Sequence, residues 1–451
     1  MFATETYALL IMAFFLILGY LAVRLPVVSR AFLPNSLMAG LILLLVGPQV
    51  AGQFIPDYQL SAQFYAFWSQ LPKQLINVVF ACLFLARPLL SAKKMWKVAG
   101  PHVAFGQTIA WGQYALGGLL TLFILTPFFG ARDLHAALIE MSFEGGHGTV
   151  AGMGPVFTEL NFKNGQDLAV GLATVSLCTA LISGVILINW GRKKGHIKTV
   201  MKSGLRERIY HRRITYELRK KGVALRDHLT LKKVTTHVVL IAVSIFFAWI
   251  IFQTLVLAES VLFSDGQGFM RYVPFFPFCM FGGIIAQAFW SKIGFKTSRP
   301  LIELISSITL SLLIASAIAT MSLEYISSHI VIFGLLSVTG IVWILLAFVL
   351  FARRMFRHNW FQNGIVNAGQ SMGMTATGLL FLHMVDPHDK TNAMEGFGYK
   401  QLMFEPFVGG GIVTALALPA IIVVGLPLFT AITSVICILW LLFGLFYFGK
   451  R

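Results

Sequence analysis

The chain is built from apolar stretches close to the length that crosses a bilayer. A hydrocarbon core of about 30 Å takes about 20 residues of helix. Eleven stretches meet that measure, near 6–23, 33–51, 74–90, 103–128, 167–190, 234–258, 273–290, 300–321, 329–351, 402–426 and 429–448. Charged residues make up 12% of the 451 residues, where a soluble domain uses about 25%. So few charges cannot coat a water-facing shell, which excludes a soluble enzyme, a disordered chain and a secreted disulfide scaffold. The expectation is an all-α integral membrane protein with 11 transmembrane helices. MFATETYALL lacks a basic n-region and a small-residue cleavage site, so it reads as a first span and not as a removable signal. Cys82, Cys178, Cys279 and Cys437 all fall in apolar segments without CxxC spacing and read as small buried hydrophobes.

The formal net charge of +17 suggests nucleic acid until its distribution is examined. Of 35 Lys and Arg residues, 15 lie between Arg192 and Lys233. With the N-terminus outside, the inner loops are 24–30, 87–97, 191–233, 291–299, 353–357, 383–401 and the tail Lys450–Arg451. These hold 31 of the basic residues, and only Lys73, Arg132, Lys163 and Arg271 remain outside. That asymmetry is the positive-inside pattern of a multi-pass protein. No nucleic acid is expected. The basic segment 191–233 is a cytoplasmic linker that also suits the anionic lipid surface.

The linker separates two similar halves, 1–190 and 234–428, with 429–451 as an additional C-terminal transmembrane helix. Phe32-Leu-Pro34-Asn-Ser-Leu-Met-Ala39-Gly40 in the first half matches Phe275-Phe-Pro277-Phe-Cys-Met-Phe-Gly282-Gly283 in the second, proline and glycine in register. Each half also holds one apolar stretch, near 134–158 and 361–382, interrupted by glycines and polar residues. Open backbone is not tolerated against lipid, so both read as re-entrant hairpins buried in protein. Five spans per half is an odd number. The halves must therefore insert with opposite orientation, the inverted-repeat plan of secondary transporters.

The hairpins supply the candidate site. Glu144, Gly145, Gly146, His147, Gly148 and Thr149 form the first cluster; Asn367, Gly369, Gln370, Ser371, Gly373, Thr375 and Thr377 form the second. Glycine admits close backbone approach, helix-end amides suit carboxylates, and free carbonyls and hydroxyls suit sodium. Close helix packing is the alternative use of such glycines, and His147 has the alternative of capping backbone. Acidic residues at depth are functional candidates: Glu140, Glu144 and Glu405 are each open to binding sodium, carrying a proton or pairing with a basic substrate. Ser307 and Thr309, with Ser306, Ser311 and Asn77, are candidate ion ligands, unless their side chains only bond back to the helix. Glu303, His135 and His383 read as interfacial.

In Gly145-Gly-His-Gly-Thr149, Ala368-Gly369, the two Pro/Gly phrases and Ile308-Thr-Leu-Ser-Leu312, the chain resembles the bacterial glutamate–sodium symporter family over roughly residues 20–428. The resemblance implies a sodium-driven symporter in the bacterial inner membrane, with no cofactor beyond the coupling ion. It further implies a homodimer joined through scaffold helices and an elevator-like movement of the hairpin-bearing parts. The chain departs from the family at Glu144 and Val150, where serine and glycine are usual, and at Gln370-Ser-Met372, where His-Cys-Gly is usual. The substrate is accordingly expected to be glutamate, another carboxylate or a related amino acid. A proton-coupled carrier of the same architecture, a passive channel and an intramembrane enzyme using Glu144 and His147 are the alternatives. No GxxxxGK[ST] loop for an ATP-driven pump occurs.

Overall fold

The computed structural model describes residues 2–25, 33–54, 62–86, 92–197, 230–262, 270–387 and 390–449. Most of the linker, 198–229, lies outside the described residues, as do parts of the expected inner loops 24–30 and 87–97. Among the described residues all regular structure is helical. The first half comprises α1 (Phe2–Ala22), α2 (Asn35–Val46), α3 (Leu71–Cys82), α4 (Ala92–Leu120), α5 (Leu138–Phe143), α6 (Gly146–Gly152) and α7 (Lys163–Lys193). The second comprises α8 (Leu231–Leu262), α9 (Phe276–Lys292), α10 (Arg299–Ala319), α11 (Ile330–Ala347), α12 (Trp360–Met372), α13 (Thr375–Val385), α14 (Ala393–Phe404) and α15 (Ile412–Val424). The last helix is α16 (Leu426–Phe443).

Eight helices among the described residues are long and apolar enough to cross a membrane. The other three expected spans take different forms. Span 74–90 is α3, only 12 residues long, and span 273–290 is α9, at 17 residues. Span 402–426 is broken. Pro406 cannot donate to a helix, and Gly409 and Gly410 adopt φ +75° and +103°, so the chain unwinds between α14 and α15.

One side of the molecule is a row of helices in the order α1, α2, α10, α3, α9, α8, each packed on the next. The contacts need small residues, because the backbones nearly touch. A Cβ at Gly40 on α2 would meet Ile318 Cβ at 2.8 Å and Ala315 O at 3.1 Å; one at Gly283 on α9 would meet Ala81 O at 2.6 Å. Long apolar side chains of α1 and α8, such as Leu10, Phe14, Phe246 and Trp249, remain exposed. That is appropriate to a lipid-facing surface.

On the other side α4 is the central strut, packed on α14, α16, α11 and α5. Beyond Leu120 it widens into a π-turn over Thr121–Leu125. Pro127 follows, and its missing N–H and the clash with the carbonyl four residues back account for the distortion. The C-terminal helix is not loosely appended. A Cβ at Gly100 on α4 would meet Phe448 at 2.6 Å, and Cys437 Sγ donates to Thr108 O at 3.5 Å.

Candidate functional site

The segment 133–159 enters the structure and returns. A 3-10 turn (Asp133–Ala137) leads into α5, the helix breaks at Glu144–Gly145, and α6 leads away. The entry and exit are fastened together: Arg132 donates to Asn161 O at 2.6 Å and to Leu160 O at 3.1 Å, and the His135 ring lies 4.9 Å from that of Phe162. The second hairpin is α12 and α13 joined through Gly373–Met374, packed closely enough that a Cβ at Gly378 would come 3.3 Å from Gln370 Cβ.

The two tips meet. Gln370 Nε2 donates to Glu144 Oε1 at 2.6 Å, joining residues 226 positions apart. A Cβ at Gly146, which has φ +71°, would point to Gly373 O at 4.0 Å. Ser371, next to Gln370 on the tip, is fully buried, and Ser176 of α7 donates to Met372 O. Glycine at 146 is the residue that takes a left-handed backbone at the tip without strain.

Lys400 completes this group. It is fully buried, its Nζ donates to Gln370 Oε1 at 2.6 Å, and it stands 3.6 Å from the centre of the Phe404 ring. Sequence reasoning missed it, because charge counting assigned Lys400 to the inner loop 383–401. The structure corrects that assignment: α14 carries Lys400 inward. The signal was present as a lone Lys between aromatic residues in Phe397-Gly-Tyr-Lys-Gln-Leu-Met-Phe404.

Two further carboxylates flank the tips. Glu140, fully buried, accepts from Thr414 Oγ1 at 2.9 Å, from Gly409 N at 3.1 Å and from Tyr114 OH. Glu405 accepts from Gln401 Nε2 at 2.9 Å and Thr375 Oγ1 at 3.2 Å, and Gln401 also donates to Thr375 at 2.7 Å. Glu405 therefore sits in the unwound stretch between α14 and α15, beside the second hairpin. Tyr114, Gln401 and Thr414 had no distinguishing pattern in the sequence.

Other candidates lie apart from this cluster or are otherwise engaged. His147 Nε2 pairs with Thr174 on α7 at 2.9 Å, while Thr149 donates to Gly145 O at 2.9 Å. Gly148 makes ordinary contact with Ile76 and Leu310, and a Cβ at Gly145 would come 2.9 Å from Thr149 Cβ. Gly369 lies against Phe381 and Gly378, and Asn367 Nδ2 contacts His102 Nδ1 and Asn363 O, each at 2.8 Å. Ser307 is exposed, its carbonyl accepting from Ser311 at 2.8 Å, and Thr309 donates to Ile305 O at 2.7 Å. These hydroxyls on α10 bond back to their own helix. Among the described residues no group of three or more His, Cys, Asp or Glu is arranged to hold a metal ion.

A family model described as sodium/glutamate symporter matches residues 2–387. The chain belongs to the sodium/glutamate symporter family. It is thus a multi-pass membrane transporter, with apolar helices of the required length. Searches of curated proteins and of solved structures each gave no match. The match to the sodium/glutamate symporter family covers both hairpins and ends before α14. Lys400, Glu405, Gly409 and Thr414 lie beyond it.

Proposed function

We propose that this chain is a sodium-coupled symporter for glutamate or a related carboxylate or amino acid, whose cargo and ion bind where the hairpin tips meet. The contact that carries the reading is Gln370 to Glu144, with Lys400 held on the other end of the same amide. Two carboxylates, Glu144 and Glu405, flank the one ammonium, and Glu140 is held by Tyr114, Gly409 and Thr414. Uncompensated charge buried in a membrane protein is costly, so a cation entering with an anionic substrate offsets the charge that the substrate adds. The Lys400 ammonium offers positive charge and donors to a carboxylate, and Glu144 and Glu405 offer oxygens to sodium.

Packing supports two inverted repeats, 1–190 and 234–428, with 429–451 as an extra helix. The row α1, α2, α10, α3, α9, α8 places the third helix of each half between the second and third of the other. It reads alike from both ends. The α1–α2 and α8–α9 pairs then form the scaffold of a homodimer, and the hairpins with α7 and α14 form the moving part of an elevator. The N-terminus lies outside and the linker and C-terminus in the cytoplasm, in a bacterial inner membrane.

Uptake in sealed vesicles tests this. An imposed inward sodium gradient drives labelled glutamate, or a competing dicarboxylate or amino acid, above its external concentration, and Glu144→Gln removes the accumulation. Equilibration without accumulation indicates a pore. Accumulation that follows an imposed pH gradient and ignores sodium indicates proton coupling. Either result defeats sodium symport.

A further inference from the structure

We propose a second ligand site, at the base of the first hairpin, for a small molecule carrying an oxyanion and a primary ammonium. A cavity of about 490 Å³ opens there, lined among others by Arg132, His135, Lys163, Asn164, Tyr325 and His329. That volume lies in the range of small-molecule sites, about 300–1,000 Å³. No carboxylate lines it. Asp133 and Glu159, its acidic sequence neighbours, are exposed and outside the lining, and Asp167 accepts from Ser322 N at 3.0 Å. Two of the four basic residues outside the expected inner loops, Arg132 and Lys163, are thus gathered at one opening.

Each part of the ligand has a partner. Two of the five guanidinium N–H groups of Arg132 hold the Leu160 and Asn161 carbonyls, leaving the rest for an oxyanion. Lys163 adds an ammonium at the head of the 31-residue α7, where the helix end is itself positive. His135 supplies the opposite polarity. Its Nδ1 lies 2.7 Å from Arg132 O, and a carbonyl can only accept, so in the neutral ring Nδ1 carries the proton and Nε2 the lone pair. His135 is 3% exposed, and that Nε2 is buried without a hydrogen-bond partner. A ligand ammonium satisfies it. Tyr325 and His329, stacked 4.1 Å apart, form another part of the lining.

The same chemistry is carried by an acidic amino acid in solution and by an ethanolamine phospholipid headgroup. The exposed Phe128 and Phe129 beside the cavity leave both sources open. The proposal is independent of the central site and is tested without transport. Glu144→Gln protein in phosphatidylcholine nanodiscs is titrated with labelled glutamate, with glutarate, which lacks the ammonium, as competitor. For the soluble ligand, glutamate binds saturably, Lys163→Ala weakens it at least fivefold, and glutarate competes at least fivefold less well than glutamate. For the headgroup, native mass spectrometry from phosphatidylethanolamine-containing discs finds retained lipid that Lys163→Ala loses. Lys163 is exposed, so the variant tests the site and not the fold. Binding of neither ligand, binding unchanged in Lys163→Ala, or glutarate equal to glutamate overturns the proposal. Because binding is read in Glu144→Gln protein, none of these results bears on sodium-driven uptake by the wild type.

Discussion

Glu140 Oε1 accepts the amide hydrogen of Gly409 at 3.1 Å across 269 positions of sequence. The bond ties the first hairpin to the unwound stretch between α14 and α15. Thr414 at the start of α15 and Tyr114 on α4 bind the same carboxylate. A broken helix leaves backbone donors open in the membrane, and here one of them ends on a side chain from the opposite half of the chain.

Removing that acceptor leaves three donors unsatisfied, Tyr114 and Thr414 buried and Gly409 half-buried. Each such group costs about 1–3 kcal/mol, so Glu140→Ala should destabilise the protein by about 3 kcal/mol or more. Tyr114→Phe, which deletes one donor, should cost about 1 kcal/mol. Thermal unfolding in detergent measures both. In the double variant, the Tyr114→Phe loss should largely vanish, because its partner is already gone.

Lys400 and Gln370 form the second test. A hydrogen bond to a charged group contributes about 1.5–3 kcal/mol, which corresponds to about tenfold or more in binding. Lys400→Met keeps an unbranched apolar stem beside Phe404, one atom shorter, and removes the donor to Gln370. Protein should still reach the membrane, while glutamate uptake falls at least tenfold. Undiminished uptake removes Lys400 from the site.

The legible parts of this molecule were those where a local pattern has few membrane-compatible explanations. Glycines and polar residues inside an apolar run at 144–149 and 367–375 pointed to backbone sheltered by protein, and those segments do face one another. The row of helices was foreshadowed by Pro34/Gly40 and Pro277/Gly283, since Gly40 and Gly283 are where neighbouring backbones nearly touch. Lys400 was lost to a rule about loops, which counts charge without knowing depth. The break at Glu405–Gly411 lay in plain view as Pro and three glycines but was read as the opening of a span. The hydroxyls of Ser311 and Thr309 answer to two descriptions, ligand or self-bonded helix residue, and the folded helix decides for the second.

Helix-row glycines should be intolerant in pairs. Gly283→Ala brings a methyl against Ala81 O at 2.6 Å, and Gly40→Ala brings one against Ile318 Cβ at 2.8 Å. Overpacking of this kind costs about 1–3 kcal/mol, so both variants should melt lower by a similar margin. Gly334 on α11 has nothing within 4 Å of its would-be Cβ. Gly334→Ala should be neutral or stabilising, by up to about 1 kcal/mol from helix propensity. Equal loss at all three positions contradicts the packing.

The glycines of the first tip should divide by backbone conformation and not by space. Gly146 has φ +71° and only Gly373 O, at 4.0 Å, near its would-be Cβ. An L side chain there meets little crowding but costs about 1–2 kcal/mol for the left-handed backbone. Gly148 has helical backbone, and its would-be Cβ makes ordinary 3.5 Å contacts with Ile76 and Leu310. Gly146→Ala should therefore lower both melting temperature and uptake, since the strain falls where the tips meet. Gly148→Ala, two residues on, should fold and transport like the wild type. Reversed behaviour of the two variants, in parallel melting and uptake assays, would show that Gly146 is conserving space and not conformation.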